Sequence, residues 1–303
     1  MIKVQFLGTS GSVPTEKRGM PALYLEYEGS RMLFDCGEGT QRQMRIAGIP
    51  FMKLDRIFIS HFHADHCLGL GGLIQTMDLF KRTAKLEIYG PKGVHEVIDK
   101  VITTGNFILE GFDLEINEVK PKGVEQILSE RDYVIKCANM DHTVPCLGFS
   151  FEEKARRKFL KKKALALGVP EGPLFHRLQL GESVKVGKKI IKPNDVLDKA
   201  ILGKKVTYLP DTRPCATAAE LAKGSDILIH DSTFAHDLQG AALDGKHSTA
   251  REAGEIAKRA KAKQLYLTHF SQRYTKPEEL EKDAKQVFAN THTANDFDII
   301  TLG

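Results

Sequence analysis

The stretch "RIFISHFHADHCLGLGG", from Arg56 to Gly72, constrains this chain more than any other. Ile57, Phe58 and Ile59 read as a short buried strand that stops at Ser60. His61, His63, Asp65 and His66 then crowd into the next six residues. Protonated histidines this close repel one another, and burying them unpaired is costly. Neutral imidazole nitrogens beside a carboxylate suit zinc, which holds a water and lowers its pKa to about 7. One loop cannot close two metal sites, so further donors are expected at other strand ends, where a rigid scaffold presents loop residues. Three places qualify. His142 follows the strand Tyr133–Cys137 in "CANMDHTVP", Asp211 follows Val206–Leu209 in "VTYLPDTRP", and His269 follows Leu265–Leu267 in "QLYLTHF". Asp211 is the natural bridge, because a carboxylate can span two neighbouring cations.

The rest of the chain reads as a layered mixture of strands and helices. Short β-branched runs recur at Val4–Leu7, Ala22–Tyr27, Arg31–Phe34, Leu86–Tyr89, Leu147–Phe151 and Ile227–Ile229. Helical spacing is expected at Thr40–Ala47, Gly69–Phe80 and Gly93–Val101. It is clearest at Ala250–Ala260, where Thr249 and Glu252 have capping-box spacing. With 303 residues, 42% of them hydrophobic, the chain can bury a large core. The net charge of +5 is too small to identify a partner by itself, so the distribution of charge matters more. The five cysteines, Cys36, Cys67, Cys137, Cys146 and Cys215, form no C-x-x-C pair, which favours a reducing compartment. The opening "MIKVQFLGTSGS" reads as strand and turn rather than a leader, and no apolar run is long enough to span a bilayer. The expectation is a cytoplasmic protein with no membrane partner.

Residues 152–193 break this rhythm. The segment is Lys-rich and punctuated by Gly168, Pro170, Gly172, Pro173 and Gly181. No acid interrupts the run from Lys154 to Lys163. It lies between His142 and Asp211, so it reads as an insertion between two parts of one core: 1–151 and 194–303.

The pattern H-x-H-x-D-H after an apolar strand resembles the metallo-β-lactamase superfamily. The resemblance implies an αββα four-layer sandwich with a dinuclear zinc site. His61, His63 and His142 would bind one ion, Asp65, His66 and His269 the other, and Asp211 would bridge them. "LFDCGEGTQ" resembles that family's first motif, which would make Asp35 the residue that orients the ligand loop.

More local motifs resemble ribonuclease Z, the tRNA 3′-processing endonuclease, over essentially the whole chain at the length of the short form. They are "FLGTSGSVPTEKR", "DCGEGTQRQ", "YLPDTRP", "HDSTF", "KHSTA", "THFSQRY" and "GVPEGPLFHRLQLGESV". This likeness implies a zinc-dependent endoribonuclease acting on precursor tRNA, with two Zn²⁺ per subunit (Mn²⁺ substituting) and a homodimer. Asp65 would be both ligand and general base. His247 would protonate the leaving oxygen, supported by Asp231 of "HDSTF". That motif usually carries glutamate, and Asp231 is one methylene shorter. Arg273 and Arg213 would offer guanidinium forks to RNA phosphates. The insertion would be a flexible exosite arm that clasps the tRNA body. Lys154, Arg156, Arg157, Lys158, Lys161, Lys162 and Lys163 would contact phosphates, and Gly172 and Pro173 would shape the tip. The alternative is another hydrolase of the same fold, a phosphodiesterase or an arylsulfatase-like enzyme. A binding protein that had lost catalysis should have lost ligands, whereas all seven positions keep a metal-competent side chain.

Overall fold

A computed structural model describes all 303 residues. Two seven-stranded sheets form the body. The first runs, edge to edge, Ile299–Leu302, Ile2–Gly8, Ala22–Tyr27, Ser30–Phe34, Arg56–Phe58, Leu86–Gly90 and Leu114–Glu118. The second runs Thr291–Thr293, Gln264–Thr268, Ile227–Asp231, Lys205–Leu209, Cys146–Glu153, Tyr133–Met140 and Glu125–Ser129. Helices Thr40–Ile46, Gly69–Leu79 and Val94–Ile102 pack on the outer face of the first sheet, through Tyr24, Leu33, Met44, Ile57, Leu73 and Ile98. Helices Ala216–Leu221, Ala250–Ala260 and Glu278–Lys285 do the same for the second, through Leu228, Leu265, Ala253, Ile256 and Leu280. An aromatic layer lies between the sheets: Phe34 stacks on Phe58 at 5.0 Å, and Phe149 meets Phe58 at 5.5 Å. This is the expected αββα sandwich. The period-two alternation of each strand sends one set of side chains to the helices and the other to the facing sheet.

Three of the four strands that lead to expected metal donors lie in parallel stretches; the fourth, Tyr133–Met140 before His142, pairs antiparallel with Glu125–Ser129. Ser30–Phe34, Arg56–Phe58 and Leu86–Gly90 pair in parallel in one sheet. In the other, Lys205–Leu209, Ile227–Asp231 and Gln264–Thr268 do so. The loops after Arg56–Phe58, Lys205–Leu209 and Gln264–Thr268 therefore leave from carboxyl ends, where α/β sheets place their ligands. The capping box forms as expected, with the Glu252 N–H donating to Thr249 Oγ1 and the Thr249 N–H to Glu252 Oε2.

The chain divides into two compact units, and the smaller comprises Arg131–Tyr133 and Glu152–Lys204. The expected insertion ended at residue 193, but the compact unit runs on to Lys204, because Leu197–Ile201 pairs with Arg156–Phe159. It has an apolar core of its own, made by Ala164, Val169, Leu178, Val184, Ile191 and Val196. Phe159 packs on Phe175 at 4.7 Å. Gly172 has φ 130° and ψ −144°, a conformation nearly reserved for glycine, and Pro173 starts the helix Pro173–Gln179. Arg157 departs from the expected role of phosphate contact. It donates to the carbonyls of Asp198 and Leu197 and to Asn194 Oδ1, so it is an internal brace. Lys154, Arg156, Lys158, Lys161, Lys162 and Lys163 are exposed.

The unit's ends lie side by side, with the Glu153 N–H donating to the Lys204 carbonyl at 2.9 Å. Residues 154–203 can therefore be replaced by a short glycine linker. The excised protein is expected to lose at least about tenfold in kcat/KM on precursor tRNA, roughly the release of a single phosphate contact or more. It should lose far less on bis(p-nitrophenyl) phosphate. Equal losses on both substrates would make the unit structural.

Candidate metal centre

The loop after Arg56–Phe58 is held in place by an acid from the neighbouring strand. Asp35 accepts the Ser60 N–H at 2.7 Å and the Ser60 hydroxyl at 2.9 Å. It also accepts His66 Nδ1–H at 2.7 Å and the buried Tyr208 hydroxyl at 2.8 Å. Two glycines let the two loops interlock. A Cβ on Gly37 would lie 2.1 Å from the Asp65 carbonyl oxygen, and one on Gly69 would lie 2.1 Å from that of Gly37. Asp35 and His269 both take left-handed backbone conformations, at φ 58° and 62°. Such strain costs about 1–3 kcal/mol per residue and gathers at functional sites.

The expected donors converge as two sets that share Asp211: His61, His63 and His142 with Asp211, and Asp65, His66 and His269 with Asp211. In the first set, His61 Nε2 and His142 Nε2 lie 3.6 and 3.7 Å from Asp211 Oδ2, and His142 Nε2 lies 3.2 Å from His63 Nδ1. In the second, His269 Nε2 and His66 Nε2 lie 3.1 and 3.3 Å from Asp211 Oδ1, and His269 Nε2 lies 3.3 Å from Asp65 Oδ2. Zn–N and Zn–O bonds of about 2.0–2.1 Å put tetrahedral ligands roughly 3.3 Å apart, so these spacings suit a divalent ion. Two further observations fit. His61 Nε2 and Asp211 Oδ1 are buried without a hydrogen-bond partner. His66 Nε2 faces His269 Nε2 at 3.3 Å, an arrangement that a shared cation explains better than a hydrogen bond.

The far nitrogen of most of these rings is held by oxygen, which fixes each ring's orientation. Ser60 Oγ lies 2.9 Å from His61 Nδ1, the Lys246 carbonyl 3.0 Å from His142 Nδ1, and Thr233 Oγ1 2.9 Å from His269 Nδ1. Burial, with smaller contributions from neighbouring histidines, pushes His61, His63 and His142 below the ordinary histidine value, so they are neutral donors. Burial alone would raise Asp211, yet His269 and His66 hold it well below the usual carboxylate range. Burial alone would lower His66, yet Asp211 and Asp35 hold it well above the histidine value. The carboxylates call for positive charge at this point, and a cation supplies it as well as a proton does.

His247 stands beside the donors, its Nδ1 3.2 Å from Asp231 Oδ2. The shorter acid reaches because the backbone closes on it: Asp231 also accepts the N–H groups of Thr212, Thr233 and Ser248 and the Thr233 hydroxyl. Burial pushes His247 down, but Asp231 lifts it to about 9. Arg273 is exposed and lies over the Phe234 ring at 5.1 Å, and Phe234 in turn lies 6.2 Å from the His247 ring. Arg213 departs from the expected presentation to RNA. Both its terminal nitrogens are engaged, with Glu252 and with the His247 carbonyl, and its side chain is only 15% exposed. Gly172 and Pro173 belong to the smaller unit, described above.

Sequence reasoning passed over Ser12, Ser60, Thr233 and Tyr208. Ser12 donates its N–H to Asp65 Oδ2 at 2.8 Å. All four sit inside quoted motifs, but hydroxyls and backbone groups cannot be ranked without geometry. Cys67, expected to be a small buried residue, is 3% exposed, and its thiol donates to the His63 carbonyl.

The comparisons agree with this geometry. Residues 2–155 match the family model described as "Anti-Pycsar protein Apyc1", and residues 195–270 match the beta-lactamase superfamily domain. The chain is 46% identical to the ribonuclease Z of Methanothermobacter thermautotrophicus over 98% of its length and 95% of that protein's. It is 43% identical to the ribonuclease Z of Methanosarcina acetivorans, over 98% and 96%. Among solved structures, the short form of human tRNase Z superimposes with a TM-score of 0.72 at 26% identity, covering 99% of both chains. A seven-donor cluster at the edge of an αββα sandwich, with near-complete coverage of such relatives, has one conclusion: this chain belongs to the ribonuclease Z family of the metallo-β-lactamase superfamily.

Proposed function

We propose that this chain is an endoribonuclease that removes the 3′ trailer from precursor tRNA. It leaves a 3′-hydroxyl on the tRNA and a 5′-phosphate on the trailer. It works in the cytoplasm as a homodimer with two zinc ions per subunit, for which manganese can substitute. The observation that carries this reading is the pairing of two donor sets on Asp211 with His247, held at Nδ1 by Asp231, beside them. A phosphodiester needs a nucleophile on one side of phosphorus and a proton on the other, and the site has groups for both.

His61, His63 and His142 would hold one ion, Asp65, His66 and His269 the other, and Asp211 both. Bound there, the ions supply an acidified water and Lewis acidity toward phosphoryl oxygens. Asp65 stays anionic: burial would raise it, but His269 and His66 hold it well below the carboxylate range. As an anion it would orient the attacking water and receive its proton, a transfer that the lowered pKa of a metal-held water makes feasible although Asp65 is a weak base. His247 keeps Nδ1 on Asp231, which leaves Nε2 to protonate the departing 3′ oxygen of the tRNA. Arg273, exposed beside His247, binds an RNA phosphate and positions the strand. The exposed cations of the smaller unit, Lys158, Lys162 and Lys163 among them, hold the tRNA body.

The test is incubation of purified protein with a 3′-extended precursor tRNA in Zn²⁺ or Mn²⁺, followed by end-mapping of the products. Cleavage 3′ of the acceptor stem with a 3′-hydroxyl end is expected. Intact RNA under both metals, with turnover of aryl sulfates or small phosphodiesters, would favour the arylsulfatase-like or phosphodiesterase alternative instead.

A further inference from the structure

We infer that Arg213 is a positioning residue for His247, acting as a clamp between the Asp211 loop and the helix that follows His247. This rests on the assignment of His247 as the proton donor. The guanidinium makes three directed contacts. Nη1 donates to the His247 carbonyl at 2.8 Å and to Glu252 Oε2 at 2.8 Å, and Nη2 donates to Glu252 Oε1 at 2.5 Å. A forked pair of this kind fixes angle as well as distance.

Each end of the clamp is anchored. The Arg213 N–H donates to the Asp141 carbonyl at 2.9 Å, one residue before His142. The Ser248 hydroxyl donates to the Thr212 carbonyl at 2.6 Å, a second tie between the same two segments. Glu252 is 5% exposed and closes the capping box on Thr249, and it also accepts from Gln239 Nε2 at 3.1 Å. Lys246 adds a third tie, because its Nζ reaches Asp141 Oδ1 at 2.8 Å while its carbonyl faces His142 Nδ1. The residues on both sides of His247 are thus bound to the segments that carry His142 and Asp211. Arg213 is the one side chain that touches the His247 backbone and the helix start together. To reach an RNA phosphate it would have to leave a buried carboxylate unpaired, which makes it a poor substrate contact.

A proton donor displaced by about 1 Å loses roughly 10²-fold in rate. Arg213→Ala is therefore expected to lower kcat on precursor tRNA by about 10²-fold while KM changes by less than about threefold. The decisive readout is a series of aryl phosphodiesters whose leaving phenols run from p-nitrophenol to phenol. A p-nitrophenolate departs without a proton, whereas a phenolate needs one. Arg213→Ala should therefore lose more as the leaving group worsens, as His247→Ala does. Adding Arg213→Ala to His247→Ala should cost little more, because the two act through one group. Arg213→Lys, which keeps charge but lacks the fork, should lie between wild type and Ala, and it serves in place of Ala if that variant does not fold.

A raised KM on precursor tRNA with kcat intact would overturn the inference in favour of a phosphate contact. A loss that is uniform across the aryl series would overturn it in favour of a purely structural role. If wild type hydrolyses the aryl esters but leaves precursor tRNA whole, the RNA reading fails, while the leaving-group series still decides the role of Arg213.

Discussion

Asp211→Ala is expected to reduce precursor cleavage to background, a loss of more than about 10⁴-fold, consistent with the several kcal/mol of charge stabilisation that a metal centre supplies. No other side chain faces so many donors. One carboxylate oxygen lies near His61 and His142, and the other near His66 and His269. Alanine would leave five buried histidine or aspartate side chains of the two sets without their shared anion, and the positive charge that this anion holds would be disfavoured. Both metals should therefore be lost together, and metal analysis after chelator-free purification should read near zero. His63→Ala is the contrast. His63 belongs to one donor set alone, so partial occupancy should survive. Full metal content in Asp211→Ala would sink the bridging assignment. Restoration of wild-type rate by excess Zn²⁺ would sink it equally.

His247→Ala is expected to lower kcat on precursor tRNA by about 10²–10⁴-fold, the usual contribution of a positioned proton donor. Metal content should stay at the wild-type level, because His247 is not needed to complete either of the two sets that share Asp211 with the loop histidines. The effect should fade on substrates with good leaving groups. Asp231→Asn should follow the same pattern more weakly. It keeps a group 3.2 Å from His247 Nδ1 but removes the charge that lifts the imidazole to about 9. Asp231 also accepts three backbone N–H groups, so a melting curve should accompany this variant to separate lost charge from lost loop order. An equal loss on precursor tRNA and on bis(p-nitrophenyl) phosphate would rule out a proton-donor role for His247.

Much of this centre was legible because metal chemistry restricts residue type so strongly. Only a few side chains can serve, and all seven donors are histidines or acids; six of them, all but His63, are buried, which would otherwise be expensive. Each lies just past a run of apolar residues, so sequence alone fixed its place at a sheet end. The same logic failed for arginine. Arg213 and Arg273 both follow ligands at short spacing, and nothing in the sequence separates them. The fold turns one inward onto Glu252 and leaves the other exposed over Phe234. Glu252 lies thirty-nine positions from Arg213, beyond the reach of local pattern. Arg157 failed likewise: in a run of cations it looks like its neighbours, and only pairing of Arg156–Phe159 with Leu197–Ile201 sets it among backbone carbonyls.

The sequence by itself determined which candidate donors exist, which strands deliver them and where the insertion begins; its far end, set by the pairing of Leu197–Ile201 with Arg156–Phe159, it did not. Periodicity and residue type are local properties, and they survive without coordinates. The tertiary structure decided what depends on angle and distance between remote segments. It settled whether the shorter Asp231 reaches His247, because three converging backbone N–H groups draw the loop onto the carboxylate. It decided which arginine is spent on the fold. It also showed that a charged run expected to be a flexible arm encloses an apolar core of its own. Hydrogen bonds and ion pairs fall off within an ångström or so of their optimum, so partnership between distant residues is written only in the folded chain.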